Sequence, residues 1–347
     1  MTRRPIGYYV HHHGAGHLAR ATALAAAIPW PIVLLGTGIG DAGIELSDDR
    51  PLSGQFDGKD GVNARPTALH YAPLDHEGVR SRVASISTWI ATARPALMVI
   101  DVSVEIAMLA RLASVPTIYV RLNGDRSDPP HLDAFAGASA ILAPFHPQFE
   151  RPETPEWVKA KTHYLPAIAE TPVTAITEER SILVVAGRGG PPVNGAHIAE
   201  AARACPQWQW RVIGPVQPVA PCPPNLTFAG WVDDPAREIA RAAIVVGAAG
   251  DGLVNALLAT DRPFICLPED RPFGEQHATA QALDRLGAAL VLDAWPSPSS
   301  WPALIDRAFT MPTHVRRQLH DPAGTRKAAA WLALCAARAT DSTEQAA

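Results

Sequence analysis

The stretch Gly7–Arg20, GYYVHHHGAGHLAR, decides the fold. Ile6, Tyr8, Tyr9 and Val10 form an apolar run that stops at His11, His12 and His13 and the turn Gly14-Ala15-Gly16. Leu18, Ala19, Ala21, Ala23, Leu24 and Ala25 then follow as helix formers. The spacing predicts a strand, a glycine loop and a helix. Gly14 and Gly16 let the backbone approach a bound group, and the unpaired amides of the new helix point towards it. His17 falls on the first helical turn, placed to face a ligand. The loop also matches Gly14-x-Gly16-x-x-Ala19, a dinucleotide fingerprint that expects an acid at the tip of the second strand. Here the second strand, Pro31–Leu35, runs into Gly36-Thr37-Gly38, and Asp41 comes only after a further glycine turn. A nicotinamide oxidoreductase is therefore one reading, with its ribose-binding acid out of place.

Around this stretch lie 347 residues, 47% hydrophobic and 18% charged, enough for a large core and for two domains. A formal charge of −4 without a basic run argues against a nucleic-acid partner. Cys205, Cys222, Cys266 and Cys335 show neither metal nor redox spacing, so a reduced, cytoplasmic setting is expected. The start, MTRRPIGYYV, enters a strand at once, and no stretch is long and apolar enough to span a bilayer.

In order, short apolar strands alternate with helical patterns, the signature of doubly wound parallel sheets. Residues 41–66 read as a long loop beside the site. Val79, Val83, Ile86 and Ile90 recur at helical spacing from Glu77 to Ala93, a core-packing face. A strand at Leu97–Ile100, a helix at Val104–Leu112 and a strand at Thr117–Val120 follow. Asp101 stands at a strand's carboxyl end, where parallel sheets place ligands, although an acid there also caps the following helix. Arg121, Asn123, Asp125 and Arg126 form a loop at another strand end that reads as largely solvated; Arg121 and Asn123 join His13 as candidate acceptor-binding residues. In an extended chain His11, His12 and His13 would point to alternate faces, which weighs against chelation of one metal, and no metal is expected.

Strands at Ala138–Ala143 and Thr162–Leu165 complete a first domain over residues 1–166, and 167–180 read as a linker rich in Pro, Thr and Glu. The pattern restarts at Ile182–Ala186, which runs into Gly187-Arg188-Gly189-Gly190, with a helix near Ala196–Ala204 and a strand at Trp210–Ile213. A second domain covers 181–323, a last helix 324–340, and the tail TDSTEQAA reads as disordered.

Residues 225–293, which contain NLTFAGWVDDPAREIARAAIVVGAAGDGLVNALLATDRPFICLPEDRPFGEQHATAQALDRLGAALVL, resemble the carboxyl half of GT-B nucleotide-sugar glycosyltransferases. They are similar above all to the family 28 type that transfers N-acetylglucosamine to a lipid-linked muramyl precursor. The amino-terminal loop and the Asp101 segment share the likeness. The resemblance implies an α/β GT-B architecture, two Rossmann-like doubly wound parallel-sheet domains facing across a cleft, with the last helix returning to the first domain. It implies an inverting, metal-independent hexosyltransferase that uses a nucleotide sugar, UDP-linked, and a small-molecule or lipid hydroxyl, with no further cofactor and with peripheral membrane contact allowed.

The resemblance also assigns roles. Trp231-Val232 matches the turn whose main chain recognises the base. Ala249-Gly250-Asp251-Gly252 matches the helix start that holds the donor diphosphate, faced by Gly187, Arg188 and Gly189, with Gly14 and Gly16 on the other domain. Glu275-Gln276 matches the pair that binds sugar hydroxyls. The family's ribose-binding Glu, counted back from Pro263, falls on Ala256, so Asn255 or Asp251 is left to replace it. His17 matches the general base of related enzymes and Asp101 its orienting acid. The Asp233-Asp234-Pro235 stretch reads as a helix cap rather than a metal motif. A nonhydrolysing sugar epimerase on the same fold and a catalytically silent nucleotide-sugar-binding partner stand as alternatives.

Overall fold

The computed structural model describes residues 3–12, 15–51, 66–169, 175–187 and 194–345. In chain order the elements are β1 (Ile6–Val10), α1 (Ala15–Ala27), β2 (Ile32–Gly36), β3 (Ile44–Glu45), α2 (Glu77–Ala93), β4 (Leu97–Asp101), α3 (Val104–Leu112), β5 (Thr117–Val120), α4 (Pro129–Gly137), β6 (Ala140–Ala143), α5 (Glu156–Lys161) and β7 (Thr162–Tyr164). There follow β8 (Ser181–Val185), α6 (Gly195–Ala204), β9 (Gln209–Ile213), β10 (Leu226–Gly230), α7 (Pro235–Arg241), β11 (Ile244–Gly247), α8 (Asp251–Thr260), β12 (Phe264–Cys266), α9 (Glu275–Arg285), β13 (Leu290–Val291), α10 (Trp301–Thr310), α11 (Thr313–Leu319) and α12 (Gly324–Gln345). The chain forms two compact units, one of residues 1–145, 152–169 and 323–347, the other of 146–151 and 170–322.

In the first unit a seven-stranded parallel sheet runs β3-β2-β1-β4-β5-β6-β7. Its strands are buried on both faces, which is why they read as unbroken apolar runs rather than alternating ones. Ile6, Tyr8 and Val10 pack into one core with Leu97, Val99, Ile118 and Val120, while Tyr9 packs into the other with Met98, Ile100 and Tyr119. Gly7 in the middle of β1 has a packing cause, because a Cβ there would lie 2.7 Å from the Trp89 ring of α2. On α2 the inward row is Arg82, Ile86 and Ile90. Val83, expected in the core, is 38% exposed, because the inward face follows the i, i+4, i+8 row that starts from Arg82.

The last helix belongs to this unit: Ala328, Ala329, Leu332 and Ala336 of α12 share a core with Ala21 and Leu24 of α1. It continues to Gln345, through the tail expected to be disordered, since no Gly or Pro interrupts it. Its first residue needs glycine for close approach, because a Cβ on Gly324 would fall 1.9 Å from the Pro166 carbonyl oxygen. Gly324→Ala is therefore expected to destabilise the protein by about 1–3 kcal/mol, read as a lower urea midpoint with an unchanged slope.

The second unit holds a six-stranded parallel sheet ordered β10-β9-β8-β11-β12-β13. Trp210 and Trp301 meet edge-on at 5.1 Å in its core. Among the described residues no helix is long and apolar enough to cross a membrane.

Candidate active site

In the first unit strand order reverses between β1 and β4, which are hydrogen-bonded neighbours. Ligands of open α/β sheets bind outside the carboxyl ends of the strands at such a reversal. The sequence delivers His17 there from the start of α1 and Asp101 from the last position of β4. Asp101 does not cap the next helix; Ser103 does, its hydroxyl accepting from Ile106 N at 3.2 Å. The Asp101 carboxylate is instead fully buried, with Oδ1 3.0 Å from His17 Nδ1. Arg20, one helical turn beyond His17, donates through Nη2 to Oδ1 and Oδ2 at 3.0 and 3.1 Å. The Tyr8 hydroxyl donates to Oδ2 at 3.2 Å.

Burial opposes the Asp101 charge, but Arg20 and then His17 outweigh it and hold the carboxyl well below the usual carboxylate range. Burial and the Asp101 charge push the Tyr8 hydroxyl up, so it remains a donor. Arg20 Nη2 also lies 3.1 Å from His17 Nδ1. Nδ1 thus faces both a donor-only guanidinium and a carboxylate oxygen; in the tautomer that donates Nδ1–H to Asp101, Nε2 is the basic nitrogen. Sequence reading missed Arg20, although its i, i+3 spacing from His17 on one helix face was visible.

The rings of His11 and His12 are stacked, with centroids 4.7 Å apart, and His11 lies 5.4 Å from the His17 ring. They do not alternate between faces as expected, because β1 ends at Val10 and strand periodicity ends with it. His13 and Gly14 lie outside the described residues, and Gly16 is an exposed position in the first turn of α1. The loop from Arg121 to Arg126, expected to be largely solvated, is mostly buried. Arg121 lies 5.3 Å over the Phe145 ring, and Asn123 Oδ1 accepts from Gly124 N at 2.9 Å.

A further cluster joins His70, Asp128 and His131, whose ligand atoms lie within 4.8 Å of one another. Asp128 Oδ1 is 2.7 Å from His70 Nε2 and Oδ2 is 2.6 Å from His131 Nδ1. Arg126 donates to His131 Nε2 at 3.2 Å, so the ring proton stays on Nδ1 and is donated to Asp128. Burial and Arg126 lower the His131 pKa to about 4, although Asp128 opposes them. The cluster is a clasp that ties residue 70 to the start of α4, where Asp128 is the N-cap.

In the second unit the corresponding reversal lies between β8 and β11. Gly187 follows β8 and Gly250 precedes α8, so both expected phosphate turns flank it; Arg188 and Gly189 lie outside the described residues. Gly250 is the N-cap of α8 and makes no side-chain cap hydrogen bond, a helix start of the kind that suits an anion. Asp251 and Asn255, one turn apart on α8, are partly exposed, Gly252 is exposed, and Ala256 is buried.

Gln276, 4% exposed, is a brace for this region. Its Oε1 accepts from Ala249 N at 3.1 Å and Glu269 N at 2.9 Å, while Nε2 donates to Glu269 Oε2 at 3.3 Å. Glu275 is the first residue of α9, after Gly274 in the left-handed region at φ 61°. Trp231 is exposed beside Gly230, and Val232 is half-buried. Asp234 caps α7, accepting from Arg237 N at 2.9 Å, with Pro235 in the first turn.

No protein-family model and no curated protein sequence matches the chain. Solved structures match it along nearly its whole length. The glycotransferase of kitacinnamycin superposes with a TM-score of 0.71 at 14% identity, over 96% of this chain and 100% of its own. MurG of Acinetobacter baumannii gives 0.65 at 15%, over 95% and 99%. The glycosyltransferase VinC, solved in complex with dTDP, gives 0.66 at 14%, over 96% and 100%. The chain has the GT-B fold. In this GT-B chain each unit carries its polar or glycine-rich features at its own sheet's reversal point.

Proposed function

We propose that this protein is an inverting, metal-independent glycosyltransferase that moves a sugar from a nucleoside diphosphate donor, UDP-linked, to a hydroxyl of a small-molecule or lipid acceptor. The observation that carries the reading is the His17–Asp101 pair at 3.0 Å, buried at the carboxyl edge of a parallel sheet. His17 Nε2 takes the acceptor hydroxyl proton, and Asp101 stabilises the imidazolium that forms. The hydroxyl oxygen attacks the anomeric carbon as the bond to the diphosphate oxygen breaks. The electron pair leaves with the nucleoside diphosphate, and the anomeric configuration inverts. The α8 amides at Gly250–Gly252 and the Gly187 turn meet the leaving negative charge, a task that preorganised amides perform without a cation. The acid pair Asp233-Asp234 supports the metal-free reading, since Asp234 is committed to its cap. Trp231 and Val232 serve the base, Asp251 or Asn255 the ribose, and Glu275 the sugar, with Gln276 bracing the Ala249 turn behind it. The glycosyltransferase VinC was solved in complex with dTDP, which supports a nucleoside diphosphate donor as the reading.

The test is nucleoside diphosphate release from a panel of UDP- and dTDP-sugars, with NMR of the product anomer. Release from at least one donor, lost in His17→Gln, is expected. A protein that neither binds nor turns over any nucleotide sugar overturns the reading. Tight NADH binding by fluorescence would favour the oxidoreductase alternative instead.

A further inference from the structure

Asp101 is followed by a backbone turn under strain. Val102 has φ 57°, in the left-handed region, and among the described non-glycine residues with positive φ it is the only β-branched one. The branched side chain makes that conformation costly, so it persists only where the surroundings hold it. Val102 is itself only partly buried, so packing of its side chain does not offset the cost.

Two neighbours hold the turn. From β5 the buried Tyr119 hydroxyl donates to the Val102 carbonyl oxygen at 2.7 Å. The Tyr119 ring is fixed edge-on against Phe135 of α4, with centroids 5.1 Å apart. Burial pushes the Tyr119 hydroxyl up from its ordinary range, so it stays protonated and donating. On the far side of the turn Ser103 Oγ accepts from Ile106 N at 3.2 Å and donates to Glu105 Oε2 at 3.0 Å. The other Glu105 oxygen accepts from the amides of His70 and Tyr71 at 2.8 and 2.9 Å.

Asp101 depends on this turn more than a residue in mid-strand would. The register of β4 with β1 ends at Ile100, so Asp101 is paired on the β5 side alone, with Val120. Were Val102 to relax to negative φ, the peptide joining it to Asp101 would rotate and the carboxylate would turn with it. Arg20, His17 and Tyr8 meet the carboxylate. The Tyr119 bond holds the backbone that carries it.

We propose that Tyr119 is a positioning residue for the transfer reaction: its hydrogen bond to Val102 holds the strained turn that keeps the Asp101 carboxylate against His17. This rests on the glycosyl-transfer reading. Tyr119 acts through Asp101 and His17, so its loss shows in kcat rather than in acceptor KM.

The test begins with Tyr119→Phe, which removes the hydroxyl and keeps the ring. Its kcat is expected to fall about 10–100-fold with acceptor KM unchanged, as for a slightly misplaced catalytic group. The His17 Cε1–H signal in the NMR spectrum of the full chain, assigned with His17→Gln and followed without donor or acceptor, is expected to move. Val102→Asn probes the strain, because asparagine enters the left-handed region more readily than valine. In that background the kcat loss from Tyr119→Phe is expected to shrink to about threefold or less, the coupling of two residues that act on one turn. The displacement of the His17 signal shrinks with it.

A Tyr119 that only packs lowers the urea midpoint and leaves the His17 signal at its wild-type position. An unmoved His17 signal in Tyr119→Phe therefore overturns the proposal, whatever the midpoint. So does an unchanged kcat, or an equal kcat loss in the Val102→Asn background. If the wild type releases no diphosphate from any nucleotide sugar, the transferase reading fails, while the His17 signal in the two backgrounds still decides whether Tyr119 holds Asp101 in place.

Discussion

His17→Gln is expected to lower kcat for transfer by about 10²–10⁴-fold, the usual contribution of a positioned general base, with donor affinity retained. Glutamine keeps much of the bulk and polarity of imidazole but cannot take a proton at neutral pH. Gly250 and Gln276, on the other unit, are untouched by the change. The measurement is steady-state kinetics with donor and acceptor varied separately, beside donor binding by calorimetry. A variant within a few-fold of wild-type kcat would remove His17 from the proton-transfer step. A variant that lost donor binding as well would point to misfolding rather than to chemistry.

Arg20→Met is expected to cost about 3–5 kcal/mol of stability, because it strands the buried Asp101 charge rather than deleting a neutral contact. Asp101→Asn in the same background should recover part of this loss, since the double variant no longer buries an unpaired carboxylate. The pH dependence follows from the depressed pKa of Asp101. An unfolded Asp titrates near pH 3.9. The contribution of Asp101 is therefore fully present above about pH 4 and is lost as pH falls through its lower folded value. Without Arg20 the carboxyl shifts upward, so Arg20→Met should lose stability at higher pH than the wild type. Urea denaturation between about pH 3 and 7 measures both effects. Parallel pH profiles of the two proteins would refute the account.

Much of the fold was legible because parallel strands buried on both faces leave continuous apolar runs, as at Ile6–Val10 and Leu97–Asp101. Asp101 was legible because it closes such a strand, and His17 because it stands on the first helical turn after the glycine loop. Arg20 and Arg82 were not. Each lies on a helix whose apolar neighbours suggest plain packing, and only the tertiary placement of Asp101 and Asp49 explains a charge turned inward. The α4 helix was passed over although Asp128-Pro129-Pro130 is a cap followed by prolines suited to a first turn. The histidine run was misread because strand alternation was extended beyond the end of β1. The braced state of Gln276 was hidden as well, since its partners Ala249 and Glu269 lie 27 and 7 residues away in sequence.

One consequence of the returning α12 concerns synthesis. Ile6, Tyr8 and Leu24 share their core with Leu332 and Ala336, residues made long after them. Once synthesised, the earlier segment therefore waits with part of its apolar face uncovered, while residues 170–322 can complete their own sheet. A nascent chain stalled before Gly324 should accordingly be open to proteases and chaperones in its opening strands and already resistant in its later ones.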